Sequence, residues 1–471
     1  MHKNKEKILG LVITDGVGYR NFILSDFSAR AVLHFKKIII YSGLPATEFP
    51  FKDNKDIEVI ELPIYVEPFK SWFWRKFKEL AHLQLHKDFF GINDNLAANK
   101  SKGGSNRARA ARFLYRISEK FHSENFIKKL ENVQQRYLKK HVVTKQCISF
   151  LNEVSPDLIF FTHQRPPYVM PLFVAAKKLK IKTGSFIFSW DNLSSKGRMA
   201  ANFENYLVWS ELMKEELLYF YPSTIKEKIK VAGTPQFEPY VIPGYKTERK
   251  RFYSRFNLDP DLKTICYSCG DISTSRNDEL YIETIARAIQ KKEITEQVNL
   301  IVRTSPAEDP NRFFFLKKEF PLIRWNFPDW SVSRENHPEP WSQRVPSKLD
   351  IIDLRAILEN ADLSINMCST MSLDFMIFDK PVINPVFGNE KNGLYDDQRF
   401  LKFGHYEKVV ESGAVKIAKD KKSLIEAINF YLENPAVHQV ERKELISMQI
   451  GKPLEGTSER ISLLLKEIAE S

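Results

Sequence analysis

Cysteine is scarce in this chain: four among 471 residues, at Cys147, Cys266, Cys269 and Cys368. Disulfide staples are thereby excluded as the source of its stability. Cys266 and Cys269 have C-x-x-C spacing, but a zinc ribbon needs a second such pair and the sequence has none. The pair ends an apolar run instead of opening a helix, so reduced, partly buried thiols are expected over a redox pair. Long apolar runs are missing too, and nothing approaches the roughly 18–20 residues a spanning helix needs. The basic amino terminus leads only into the short run 8–14, which Asp15 and Gly16 stop. That pattern is a first strand and not a secretory signal. The expectation is a cytoplasmic protein, at most peripheral on the inner face of the plasma membrane. Metal spacings such as H-E-x-x-H are absent, as are G-x-S-x-G and a P-loop. These absences argue against metalloprotease, hydrolase and NTPase readings, and neither a bound metal nor a cofactor is expected.

The chain is longer than one core can serve, since cores stop growing at about 250–300 residues. Thirty-five phenylalanines supply ample core material. Apolar runs of strand length alternate with helix-period stretches, the signature of parallel α/β layering. Strands are expected at 8–14, 37–41, 57–62, 157–162, 182–188, 206–209 and 229–232. A turn-rich stretch, 233–244, carries Pro235, Pro239 and Pro243 and reads as a linker. The alternation then restarts, with strands at 264–268, 298–303, 362–365, 381–384 and 414–418. The fold class is α/β, two Rossmann-like domains: 1–236, with an insertion at about 70–146, and 246–457. A last helix, 458–471, is expected to pack back on the first domain. Ligands in open α/β sheets bind at the carboxyl ends of strands, so two such domains predict a two-substrate cleft.

The net charge of +12 is concentrated. Between Lys70 and Gln146 there are 18 Lys or Arg and 6 Asp or Glu, which leaves the rest of the chain neutral. The stretch 69–78 mixes aromatics with Lys and Arg, and 97–112 is rich in Lys, Arg, Gly and Ser. Such composition suits an anionic membrane surface, here through 69–112, or a solvated helical insertion. No nucleic-acid motif accompanies it, and nucleic acid is not expected as a partner. Removal of 71–112 is expected to leave the fold intact.

Four motifs carry candidate chemistry. In the run from Asp353 through Asp362, Ser369, Thr370 and Asp374 to Pro381, a strand ends in a hydroxyl pair that opens a helix. The free amides there suit a donor phosphate, and Asp374, one turn on, suits ribose hydroxyls. A plain N-cap is the alternative. Arg303 ends a strand before Thr-Ser-Pro306 and could pair with a diphosphate. The sequence Ser189-Trp-Asp191-Asn-Leu-Ser-Ser-Lys196-Gly197 follows a buried strand. There Asp191 could act as a general base and Lys196 as a phosphate ligand, or Asp191 could merely close a turn. Finally, Asp15, Gly16 and Gly18 follow the first strand, where glycines allow close backbone approach and Asp15 is the rival base. His163 and Arg165 follow a strand as well. A lone histidine is more often structural.

Together these motifs resemble a bacterial polysaccharide-biosynthesis family of glycosyltransferases with the GT-B fold. The matching patterns are S-W-D-N-L-x-x-K-G, then G-x-P-Q-F at Gly233–Phe237, then S-T with a carboxylate and K-P-V-I. Here Asp374 stands for the usual Glu, Glu238 for Asp, and Ser305 for a His. The resemblance covers most of 150–470. It implies metal-independent transfer of a sugar from a nucleotide donor to a glycan or lipid-linked acceptor in surface polysaccharide synthesis. Ser369, Thr370, Asp374, Arg303, Gly233 and Thr234 would hold the donor, and Asp191 or Asp15 would deprotonate the acceptor. Lys196, Gly16, Gly18 and Arg165 would serve acceptor or phosphate. Related readings are a CDP-polyol phosphotransferase of similar fold and a non-catalytic membrane-associated scaffold; a nucleotide-sugar 2-epimerase fits less well, its acid/base set not being evident.

Overall fold

A computed structural model describes residues 6–471. The chain divides into two compact units. The first comprises Met1–Glu238, Val332–Val345 and Gln449–Ser471; the second comprises Pro239–Ser331 and Pro346–Met448. The segment Val332–Val345, which the sequence places inside the second domain, thus belongs to the first unit, as does the carboxyl-terminal stretch.

The first unit is built on seven parallel strands: β1 (Ile8–Ile13), β2 (Lys37–Ser42), β3 (Ile57–Glu61), β4 (Leu158–Phe161), β5 (Lys182–Phe186), β6 (Asn205–Val208) and β7 (Ile229–Val231). Their order is β3-β2-β1-β4-β5-β6-β7. Runs such as Leu-Ile-Phe-Phe in β4 are buried throughout because helices cover both faces. The helices are α1 (Gly16–Phe22), α2 (Phe27–His34), α3 (Phe69–Leu85), α4 (Phe90–Ala98), α5 (Asn106–Ser118), α6 (Glu124–Leu138), α7 (Val142–Val154), α8 (Met170–Leu179), α9 (Asn192–Ser195) and α10 (Glu211–Phe220). Apolar periodicity over 127–151 predicts one helix, but α6 and α7 are separate. The Lys139-Lys140-His141 stretch interrupts them, and the His141 side chain caps α7 by accepting from the Val143 amide at 3.3 Å.

The basic insertion is α3 to α7, and α3 is core and not appendage. Ser71, Lys78, Leu80 and His82 are fully buried. Lys78 Nζ donates to the Ala200 carbonyl at 2.6 Å, Asn95 to that of Ser195 at 2.9 Å, and Arg198 pairs bidentately with Glu124. Helices α3, α4 and α6 therefore hold α9 and the chain after it, to 202, in place. Removing 71–112 would take away Lys78 and Asn95 with most of α3 and all of α4, so the expectation that the fold survives that deletion is corrected.

The second unit has six parallel strands: β8 (Lys263–Ser268), β9 (Val298–Arg303) and β10 (Ile323–Asn326), then β13 (Leu363–Asn366), β14 (Val382–Pro385) and β15 (Val415–Ala418). Two short strands, β11 (Trp330–Val332) and β12 (Arg344–Pro346), lie outside both main sheets. The sheet order is β10-β9-β8-β13-β14-β15. Strand β10 has no counterpart among the expected strands, because its sequence, Ile-Arg-Trp-Asn, lacks a long apolar run. Cys266 and Cys269 are free and buried, and burial pushes the Cys266 thiol up to about 12, which makes it inert.

Each sheet order reverses at one place, between β1 and β4 in the first unit and between β8 and β13 in the second. Adjacent strands there send their chains to opposite faces, which opens a crevice at their carboxyl ends. The loops after these four strands are where chemistry is sought.

Candidate functional site

At the first crevice Asp15 follows β1 and His163 follows β4. Asp15 is fully buried and caps α1: its Oδ1 accepts from the Gly18 amide at 2.8 Å. Its Oδ2 accepts from the Thr14 hydroxyl at 3.0 Å and lies 2.9 Å from His163 Nδ1. Burial pushes the Asp15 carboxyl up, but His163, the Gly18 amide and Thr14 outweigh that and hold it below the usual range. An ionised carboxylate can only accept, so the shared proton sits on Nδ1 and Nε2 is the basic atom. The imidazole is stacked on Phe188, with centroids 3.8 Å apart and planes at 9°. Its second aromatic neighbour is Trp341, 6.3 Å away, from the segment Val332–Val345.

Beside this pair lies a small pocket of about 30 Å³, lined by Thr14, Gly43, Tyr65, Tyr168, Arg334 and His337 among others. Gly18 keeps α1 close to β4, since a Cβ there would meet Thr162 Oγ1 at 2.9 Å. Gly16 opens the same helix and is buried. Their positions serve packing and the Asp15 cap.

Asp191 sits after β5 at the start of α9, without capping it. One oxygen lies 3.3 Å from Lys196 Nζ and the other accepts from Asn192 at 2.9 Å. Asp191 and Lys196 thus form a half-exposed ion pair, and Gln164 ties Asn192 and the Phe188 amide to the β4 loop. Arg165 is oriented inward, its Nη1 buried without a hydrogen-bond partner among the described residues. Gly233 adopts φ +78°, and a Cβ there would come within 3.1 Å of Lys452 and 3.2 Å of Arg460. Thr234 is fully buried, its hydroxyl accepting from the Gln236 amide. Gly233 is thus used in seating the carboxyl-terminal segment, whose Arg460 donates to the Ala232 carbonyl just after β7.

In the second unit, the loop after β13 turns through Cys368 at φ 47° and presents half-buried Ser369 and Thr370. The Ser369 amide donates to Asn366 Oδ1 at 3.0 Å, and its hydroxyl accepts from the Met371 amide at 3.3 Å. Thr370 stands at the N-cap of the helix Met371–Ile377 without a side-chain cap bond. Asp374 is buried and accepts from the Tyr240 hydroxyl. Arg303 is buried as well, both oxygens of Asp350 lying 3.0 Å from its Nη2 while Nη1 donates to Asn326. Its guanidinium braces the ends of β9 and β10. After β8, Asp278 gathers Tyr267, Ser275, the Gly270 amide and Arg312, which fixes the loop across the crevice from Ser369. No group of three or more His, Cys, Asp or Glu side chains is placed to hold a metal ion among the described residues.

The residue that sequence alone leaves aside is His163. Its signal is topological: it follows the strand next to β1, and the strand order makes it the neighbour of Asp15.

No known family model matches the sequence, and no curated protein does. Solved structures do resemble it along its whole length. A glycosyltransferase from Rickettsia africae is 12% identical with a TM-score of 0.53, each chain covered in full. A UDP-GlcNAc 2-epimerase from Neisseria meningitidis, bound to UDP-GlcNAc, is 12% identical with a TM-score of 0.50, covering 98% of this chain and all of that one. A further UDP-N-acetylglucosamine 2-epimerase is 12% identical with a TM-score of 0.53, covering 100% of this chain and 98% of the other. What the chain shares with them is the fold, the two-sheet Rossmann-like architecture of GT-B glycosyltransferases and nucleotide-sugar 2-epimerases.

Proposed function

We propose that this protein is a nucleotide-sugar-dependent glycosyltransferase in which His163 is the base and Asp15 positions it. The observation that carries this reading is the Asp15–His163 pair at the first strand-order reversal. Asp15 is too enclosed to meet a substrate and acts through the imidazole. Nε2 takes the proton of an acceptor hydroxyl as that oxygen bonds to the anomeric carbon of the donor sugar. The bond from that carbon to the diphosphate breaks, and the nucleoside diphosphate leaves with the electron pair. Aspartate holds the neutral tautomer and stabilises the imidazolium that forms. Asp191, held by Lys196, contributes hydrogen-bond acceptors for substrate hydroxyls. The nucleotide is bound by the loops after β8 and β13, through Ser369 and Thr370. The acceptor is a glycan or lipid-linked glycan, as the resemblance in the 189–197 motif suggests.

A 2-epimerase is the second reading, favoured by fold likenesses of equal strength. One experiment separates them. Thermal melting against UDP, GDP, CMP, CDP and dTDP should show a shift with one, since a ligand at a hundred times its Kd adds about 2.7 kcal/mol. The shift should vanish in the Ser369→Ala, Thr370→Ala double variant. The matching nucleotide sugar, incubated in D2O without acceptor, should gain no deuterium at C2. Deuterium there would establish the epimerase, and no shift with any nucleotide would refute both.

A further inference from the structure

Helix α5 has one buried face and one exposed, cationic face. Ala108, Ala111, Leu114 and Ser118 are buried at helical spacing, against α3. The opposite stripe, at i, i+4, i+7 and i+11, is Arg109, Phe113, Arg116 and Lys120, all exposed. The amides of Lys120 and Phe121 both close on the Ile117 carbonyl, so the last turn continues the stripe. Phe113 is 56% exposed and Phe121 53%. From 100 to 121 the chain has seven Lys or Arg and one acidic residue, Glu119. Arg107 packs over Trp72 at 5.4 Å, and Arg112 donates to the Gly103 carbonyl. Arg109, Arg116 and Lys120 make no ion pair among the described residues.

The aromatics of 69–78, which the sequence offers as the membrane contact, are mostly spent elsewhere. Phe77 is buried, Trp72 lies beneath Arg107, Trp72, Phe73 and Trp74 are each half-buried, and only Phe69, at the start of α3, is exposed. We propose that the exposed face of α5, Arg109–Phe113–Arg116–Lys120 with Phe121, docks the protein on an anionic membrane surface. The charge complementarity is direct: a row of exposed cations without ion-pair partners among the described residues matches a dense field of phosphates. Phe113 within the row and Phe121 just past the end of the helix, its ring 5.7 Å from that of Phe126, suit an apolar layer just beneath the phosphates, which a bilayer provides and a free polyanion does not. The helix then lies in the interface plane, its Ala and Leu face still on α3. The proposal stands apart from the transferase reading.

Co-sedimentation of the full chain with phosphatidylglycerol-rich vesicles and with pure phosphatidylcholine vesicles tests it. Binding is expected to the first only, weakening as salt rises. Each cation near an anionic surface is worth about 1 kcal/mol, or about fivefold in partitioning, so Arg109→Gln with Arg116→Gln should weaken binding about 25-fold. Phe113→Ser should weaken it further at high salt, where charge counts least. All three positions are exposed, so an unchanged melting temperature verifies the fold. Undiminished vesicle binding by the folded double variant would overturn the proposal. So would binding to single-stranded polynucleotide with none to either vesicle.

Discussion

At the scale of single residues, Asp15 and His163 act as one base: the carboxylate supplies charge and orientation, and the imidazole supplies the reacting lone pair. His163→Ala should lower kcat by about 10²–10⁴-fold, the range for removing a general base, with the nucleotide melting shift intact. Asp15→Asn should lower kcat too while leaving that shift unchanged. Asp15 also predicts a pH dependence. Its carboxyl is depressed in the folded state, so its stabilisation is complete above the ordinary carboxyl range near about 3.9 and is lost as pH falls through the folded value. The melting temperature of the wild type should therefore fall more steeply below about pH 4 than that of Asp15→Asn. A parallel pair of curves would show that Asp15 is not ionised in the native state. Sequence alone places the base on Asp15 or Asp191, because carboxylates after strands are visible in one dimension. The histidine's partner lies 148 positions away, and no local spacing records that.

At the scale of elements, close approach decides what the glycines do. Gly18→Ala would set a methyl 2.9 Å from a hydroxyl that already donates to the Val12 carbonyl. Overpacking of this kind costs about 1–3 kcal/mol, and urea unfolding should show it. Gly104→Ala, with nothing within 4 Å, should stay within about 0.5 kcal/mol of wild type. The insertion makes the complementary point. Its charge surplus is plain in the sequence, but which of its faces is free is not. Lys78 looks like any other lysine in a basic run, yet it is buried beneath the Ala200 carbonyl. Arg109, with the same composition around it, is left exposed. Helical phase against α3 makes the difference, and that phase is a property of packing.

At the scale of the whole molecule, the first unit is completed by chain from far away. The helix Thr457–Glu470 packs on α2, burying Ile461, Leu465 and Ile468, while His34 meets Glu459 at 2.7 Å and Lys182 donates to the Ala469 carbonyl. Burying three such side chains is worth about 1.5–3 kcal/mol each, together comparable to the net stability of a domain. Truncation before Thr457 should therefore leave the first unit sensitive to limited proteolysis. Peptides from 239–331 and 346–448 should stay resistant, and mass spectrometry of the fragments distinguishes the two. No helix among the described residues is long and apolar enough to cross a membrane.

The α/β class, two domains, nearly every strand and the Ser369–Thr370 helix start were determined by the sequence alone. Buried parallel strands are continuous apolar runs, and helix starts are marked by residues within four positions; both are local. Arg303 and Asp374 show the limit. Each lies where the motif predicts, but Arg303 is paired with Asp350 and one oxygen of Asp374 accepts from Tyr240, partners that no local spacing records. The strand order, the meeting of Asp15 with His163, the capture of Val332–Val345 by the first unit and the free face of α5 were decided only by tertiary structure. Each joins residues far apart in the chain, and which of them meet is settled by the free energy of packing the whole sheet, not by any window of sequence.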